Sequence, residues 1–256
     1  MKIYDSLIHP SNSAIWFNNK TFDFTFDRFS IIRDQYKLYR ACAVALPNMG
    51  FENAKNYFEV CNSTDLTPVF YYDFTKPFSQ IDDLLNIGYR CIKIHLRLSK
   101  IDVVTKLKEL NTILDLCEEN NVKVFFCTYL HTNPQNIQRI SNRELFIELF
   151  AHRDRLKVVF LHGFDTDILN MSQLLRFSQN YLLDISYTFL KFQGSSLDTD
   201  IKYLINCFDQ KICLGSDWPD FEYGHFIKHA EKLMENIADE KKSNVCWRNL
   251  ECFIND

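Results

Sequence analysis

Glycine is scarce in this chain. Only six of the 256 residues are glycine, where average usage near 7% would give about eighteen. No glycine-rich phosphate-binding fingerprint follows the first apolar run, which argues against a dinucleotide-binding doubly wound sheet. There are nine cysteines, an odd number with no Cys-x-x-Cys pair, and several lie inside apolar runs. That pattern argues against a disulfide framework, and it reads as buried, reduced thiols in a cytoplasmic protein. No apolar run approaches the roughly 18 residues of a membrane span, and the first residues lack the basic-then-apolar pattern of a leader. Basic excess is also missing. The formal net charge is −4 and the sequence pI about 6.0, with Lys and Arg dispersed, so nucleic acid is not an expected partner. No internal repeat, low-complexity segment or linker divides the chain.

What the chain does have is alternation. Eight short apolar runs occur at 2–5, 40–46, 68–72, 91–95, 123–127, 157–162, 181–185 and 211–215. Most are continuously apolar, as strands buried on both faces should be. Between them lie longer segments with helical periodicity, over 51–61, 78–87, 101–120, 145–152, 168–178, 198–208 and 226–237. The clearest carries Val103, Val104, Leu107, Leu110, Ile113, Leu114 and Cys117 on an i, i+3, i+4 stripe. Strand–helix alternation means parallel βα units. Eight units in about 250 residues predict an α/β fold, a single-domain (β/α)8 barrel spanning 1–256, with an open doubly wound sheet as the alternative. The aromatic segment 11–26 would cover the barrel mouth, and the amphipathic tail 241–256 would pack on the barrel exterior.

Chemistry in such a barrel sits at the carboxyl ends of the strands. The last apolar run ends in Gly215-Ser216-Asp217-Trp218-Pro219, a carboxylate beside a large aromatic. The first ends in Asp5-Ser6-Leu7-Ile8-His9-Pro10. Strand alternation groups Asp5, Leu7 and His9 on one face, Cys91, Lys93 and His95 on another, then Phe125 with Cys127, Val158 and Phe160 with His162, and Cys213 and Gly215 with Asp217. His9, Lys93, His95, Cys127, His162 and Asp217 are therefore expected to converge at the mouth. Singly each has an ordinary explanation: a hydrogen-bonded structural histidine, a snorkelling lysine, a small buried thiol. Only the joint pattern points to a site. His131 and His152 receive no role, and His225 with His229 reads as a surface pair.

These motifs resemble the amidohydrolase superfamily, in particular the amidohydrolase-2 group, which also contains metal-dependent decarboxylases. Family members open with Asp-x-His-x-His, matched here by Asp5 to His9. Their fourth strand reads Gly-x-x-x-Ile-Lys-x-His, matched by Gly88 to His95. Their fifth ends in His-Thr, where this chain has Cys127-Thr128. Their sixth ends in His-Gly, matched by His162-Gly163, and their eighth in Gly-Ser-Asp-aromatic-Pro, matched by Gly215 to Pro219. Many close on an Asn-containing helix like Cys246 to Leu250. The resemblance spans nearly the whole chain.

It implies a small-molecule hydrolase, or a related decarboxylase, whose substrate binds at the C-terminal mouth. It implies a single divalent metal, zinc being favoured by a thiolate ligand, held by His9, Cys127 and Asp217. His162 would act as base and Asp217 would be both ligand and proton relay. Lys93, His95 and Trp218 would hold the substrate. Leu7 and Cys127 stand where the family carries metal-binding histidines, so a site without metal, with chemistry run by His162 and Asp217 alone, is a further expectation. The competing reading is a catalytically degenerate barrel that binds a ligand or partner. A homo-oligomer is left open.

Overall fold

The computed structural model describes residues 1–12, 23–129, 140–176 and 178–256. The strands are β1 (Tyr4–Ile8), β2 (Arg40–Val44), β3 (Thr67–Tyr71), β4 (Cys91–Ile94), β5 (Lys123–Cys127), β6 (Val158–Leu161), β7 (Tyr181–Asp184) and β8 (Ile212–Cys213). All neighbouring pairs are parallel and follow sequence order. The last strand returns to the first through backbone bonds. Ser6 N–H donates to the Leu214 carbonyl at 3.0 Å, Asp217 N–H to that of Leu7 at 2.9 Å, and His9 N–H to that of Trp218 at 2.9 Å. The expected (β/α)8 barrel is therefore what the chain forms.

The helices are α1 (Phe26–Tyr36), α2 (Ala54–Ser63), α3 (Gln80–Ile87), α4 (Val103–Glu119), α5 (Asn142–Phe150), α6 (Ile168–Leu175), α7 (Thr188–Lys191), α8 (Leu197–Cys207), α9 (Tyr223–Leu233), α10 (Asp239–Ser243) and α11 (Asn249–Asn255). Their starts are chemically marked. The Thr25 and Asp102 side chains accept the first free N–H groups of α1 and α4, and Ser141 with Glu144 forms a reciprocal capping box at α5. Each such cap contributes about 1 kcal/mol. None of the helices among the described residues is long and apolar enough to cross a membrane.

Two apolar layers result. Alternate residues of the strands, such as Ile92, Ile94, Val158 and Phe160, pack outward with the helices. The others, including Cys91, Phe125, Val159, Leu161 and Cys213, fill the barrel. The tail departs from expectation. Leu250 and Phe253 belong to the inner layer, with Tyr4, Cys91 and Phe125. The tail therefore closes the amino-terminal opening of the barrel instead of lying on its exterior. A π-helical turn, Asn244–Arg248, leads into it. The Asn249 amide then donates to the Asp209 carbonyl at 2.6 Å and the Ile212 carbonyl at 2.8 Å, tying the tail to the start of β8. Plugging one end leaves the carboxyl end as the open one.

Candidate functional site

The inward alternation of β4 and β5 holds. Lys93 and His95 continue the face of Cys91, and Cys127 that of Phe125, and all are buried. Two other strands break their alternation, each for a visible reason. In β1 the register against β2 shifts between Asp5 and Ile8, a β-bulge. Asp5 consequently turns to the helix layer. It accepts from the Tyr223 hydroxyl of α9 at 2.7 Å and from the Ser216 and Leu7 N–H groups at 2.9 and 3.0 Å. Leu7 packs in the inner layer with Cys42 and Val44. In β6 the inward residues are Val159 and Leu161, so His162 sits on the outward parity. A left-handed backbone at His162 (φ 67°) and Gly163 (φ 61°) turns the chain as the strand ends, and the histidine reaches the mouth that way.

His9, Lys93, His95, His162 and Asp217 come together at the strand ends, close enough for their charges to act on one another. The His9 Nδ1 lies 2.6 Å from the Val44 carbonyl, so it carries the ring proton. Its Nε2 then faces Asp217 Oδ1 at 3.3 Å. Two acceptors at that distance repel unless a proton or another cation lies with them. Burial and the Lys93 charge pull the His9 imidazole down, while Asp217 pulls it back up. Burial also raises the Asp217 carboxyl, but the His9 contact and the positive neighbours outweigh it and hold it below the usual carboxylate range. His95 Nδ1 accepts from the Leu98 N–H at 3.4 Å, which leaves its proton on Nε2, 3.6 Å from the Cys127 sulfur. Burial pushes the Cys127 thiol up, so it stays protonated.

Sequence reading missed the layer beneath His162. The Asp184 carboxylate, at the end of β7, accepts from Ser6 Oγ at 2.5 Å, from the His162 N–H at 3.1 Å and from the Ser186 hydroxyl. With its one proton given to Asp184, the Ser186 oxygen can only accept from His162 Nδ1, 3.2 Å away. The imidazole proton is thus on Nδ1, and Nε2 keeps a lone pair with no hydrogen-bond partner among the described residues. Burial, the largest effect, and Lys93 lower the His162 pKa to about 4, against the pull of Asp217, so the ring is neutral at pH 7. Burial raises Asp184 to about 6. Gly215 makes room for this network: a Cβ there would lie 2.5 Å from Ser6 Oγ and 2.9 Å from Asp184 Oδ1. The signal was present in the sequence, as an aspartate inside the apolar run Leu182-Leu183-Asp184-Ile185. Tyr129 and Tyr187, which contact the His162 ring edge-on, left no such trace.

Other expectations resolve differently. Trp218 is not brought to the site, because it has the outward parity and packs on Phe29 of α1, ring centroids 5.5 Å apart. His229 is buried, 3.2 Å from Asp198 and stacked on Phe189, while His225 meets Gln193, so these two are not a surface pair. His152 is exposed. His131 and most of segment 11–26 lie outside the described residues.

The donor set does not fit a resident zinc. A catalytic zinc takes about three protein ligands. His9, locked through Nδ1 as metal-binding histidines usually are, and Asp217 converge, but Leu7 offers no donor and Cys127 is engaged with His95. Among the described residues no group of three or more His, Cys, Asp or Glu side chains is placed to hold a metal ion.

No protein-family model matches the chain, and no curated protein does. Solved structures match its fold. An uncharacterized TIM-barrel protein from Bordetella bronchiseptica superposes with a TM-score of 0.79 at 14% identity, covering 100% of this chain and 99% of the other. A probable 2-pyrone-4,6-dicarboxylic acid hydrolase from Acinetobacter baumannii, solved with citric acid bound, gives 0.69 at 15% identity over 100% of both chains. A dihydroorotase from Campylobacter jejuni gives 0.64 at 13% identity, covering 100% of this chain and 83% of the other. At such identities the likeness is one of fold.

Proposed function

We propose that this chain is a small-molecule hydrolase of amidohydrolase type, acting at the carboxyl-terminal mouth of the barrel on an ester, lactone or amide. The observation that carries the reading is the Asp184–Ser186–His162 chain. It fixes the imidazole proton on Nδ1 and leaves Nε2 as a free base throughout the neutral range. His162 accepts a proton from water as the water attacks the substrate carbonyl. The His9–Asp217 pair, 3.3 Å apart, takes up a proton between its facing acceptors during turnover and returns it to the leaving group. Lys93 and His95 hold the substrate's polar or anionic end. Two of the structural relatives named above have hydrolytic names, which agrees with this class without naming the substrate. No step is routed through a metal. A second reading, a barrel that binds its ligand without turning it over, is favoured by Leu7, whose side chain offers no donor and packs in the apolar inner layer.

The test is a panel of esters, lactones and amides assayed on the parent and on Asp217→Asn, with thermal unfolding as the folding control. General acid–base groups contribute about 10²- to 10⁴-fold, so the variant should lose at least about 100-fold while melting as a folded protein. Activity that survives Asp217→Asn removes this carboxylate from the mechanism. A parent inactive on every substrate moves the assignment to the ligand-binding reading.

A further inference from the structure

Lys93 is the least explained residue of the site. Its side chain is 1% exposed, and among the described residues its ammonium has no hydrogen-bond or ion-pair partner. A buried lysine is normally tied to a carboxylate. Here each buried carboxylate nearby is already engaged: Asp5 by Tyr223 and two backbone N–H groups, Asp184 by Ser6, Ser186 and the His162 N–H, and Asp217 by His9. The Cys127 thiol supplies no compensating anion. An ammonium desolvated without a hydrogen-bonded counter-charge, with Asp217 and Asp184 acting on it only from a distance, is relieved by losing its proton. Burial, the largest effect, drives the Lys93 pKa down and Arg97 adds to it, against the pull of Asp217 and Asp184. A neutral amine inside a barrel mouth is a nucleophile for carbonyl carbon.

A second observation lies one turn further along the chain. The Arg97 guanidinium sits over the Tyr129 ring, 4.9 Å from its centroid, and its Nε is buried with no hydrogen-bond partner among the described residues. A planar, permanently charged fork with a spare donor is built for a carboxylate.

We propose that Lys93 condenses with 2-oxo carboxylates to form an imine, with Arg97 receiving the carboxylate. The Lys93 nitrogen lone pair adds to the carbonyl carbon, and the C=O π pair takes a proton to give a carbinolamine. The nitrogen then loses its extra proton, the hydroxyl leaves as water with a second proton, and a C=N bond remains. His162 Nε2 and the His9–Asp217 pair are placed to accept and return those protons. The net reaction is amine, ketone and one proton giving a protonated imine and water, with no redox change and no metal. The protonated imine withdraws electrons from the adjacent carbon, so the site would catalyse exchange of the protons on that carbon. This goes beyond the hydrolytic reading, in which Lys93 only holds the substrate.

The test uses the intact protein with pyruvate and a hydride donor, borohydride, which reduces C=N to a stable secondary amine. Intact-mass spectrometry should show one adduct per chain, and peptide mapping should place it on Lys93. Lys93→Met should abolish the adduct. Arg97→Ala should weaken saturable trapping of pyruvate at least tenfold more than that of acetaldehyde, which has no carboxylate. An unmodified Lys93, or adducts spread over exposed lysines only, overturns the proposal, and the mapping on the parent decides this even if Lys93→Met does not fold. Trapping requires no hydrolysis, so its failure and that of the hydrolase reading are separate results.

Discussion

Replacing Asp184 by asparagine separates charge burial from shape at the base of the site. The carboxylate accepts from three donors. Of these the His162 N–H can only donate, so the amide oxygen of the variant must face His162 and Ser186. The amide nitrogen then faces Ser6, whose hydroxyl can rotate from donor to acceptor. Every hydrogen bond keeps a partner and the variant should fold. What disappears is titration. Burial raises the Asp184 pKa from 3.8 to about 6. A raised acid binds its proton more tightly when folded, so its stabilising effect is full below pH 3.8 and is lost as the pH rises through 6. The full span is about 3 kcal/mol at 1.36 kcal/mol per unit, of which about 1.4 kcal/mol falls between pH 5 and pH 8. Asp5, also raised to about 6, and His162 titrate in both proteins and cancel in the comparison. Urea unfolding of parent and Asp184→Asn at pH 5 and pH 8 should therefore show the variant gaining about 1.4 kcal/mol relative to the parent at the higher pH. A stability difference that is the same at both pH values, or moves the other way, would refute the claim that this carboxyl is held high by burial.

Gly215→Ala should destabilise the barrel by about 1–3 kcal/mol in the same assay, because the new methyl must displace Ser6 or Asp184; an unchanged urea midpoint would mean that the network has slack. The double variant Leu7→His with Cys127→His adds two donors beside His9 and Asp217. Calorimetric titration should then show zinc bound far more tightly than by the parent, and equal affinity would show that these four positions do not converge on one point.

The barrel, the order of its strands and most helix positions were determined by the sequence on its own. Period-2 and period-3.6 patterns are local, and eight alternating runs of fitting length leave few ways to bury their apolar faces. The carboxylate and histidines at the strand ends were legible for the same reason, as polar residues that terminate apolar runs. Tertiary structure decided the rest. A bulge in β1 sent Asp5 to the helices, and a left-handed turn carried His162 from the outward parity into the mouth. No local pattern encodes either event, because each depends on how the end of a strand meets its neighbour. Trp218 looked like a site residue from adjacency, yet neighbours in a strand face opposite sides, and its ring went to Phe29. The partners that set proton positions lie far apart in sequence: Ser6 with Asp184, His9 with Val44, His95 with Cys127. The same holds for what Lys93 lacks. A sequence can place a lysine at a strand end, but whether a carboxylate remains to neutralise it depends on where every other buried carboxylate has found its hydrogen bonds.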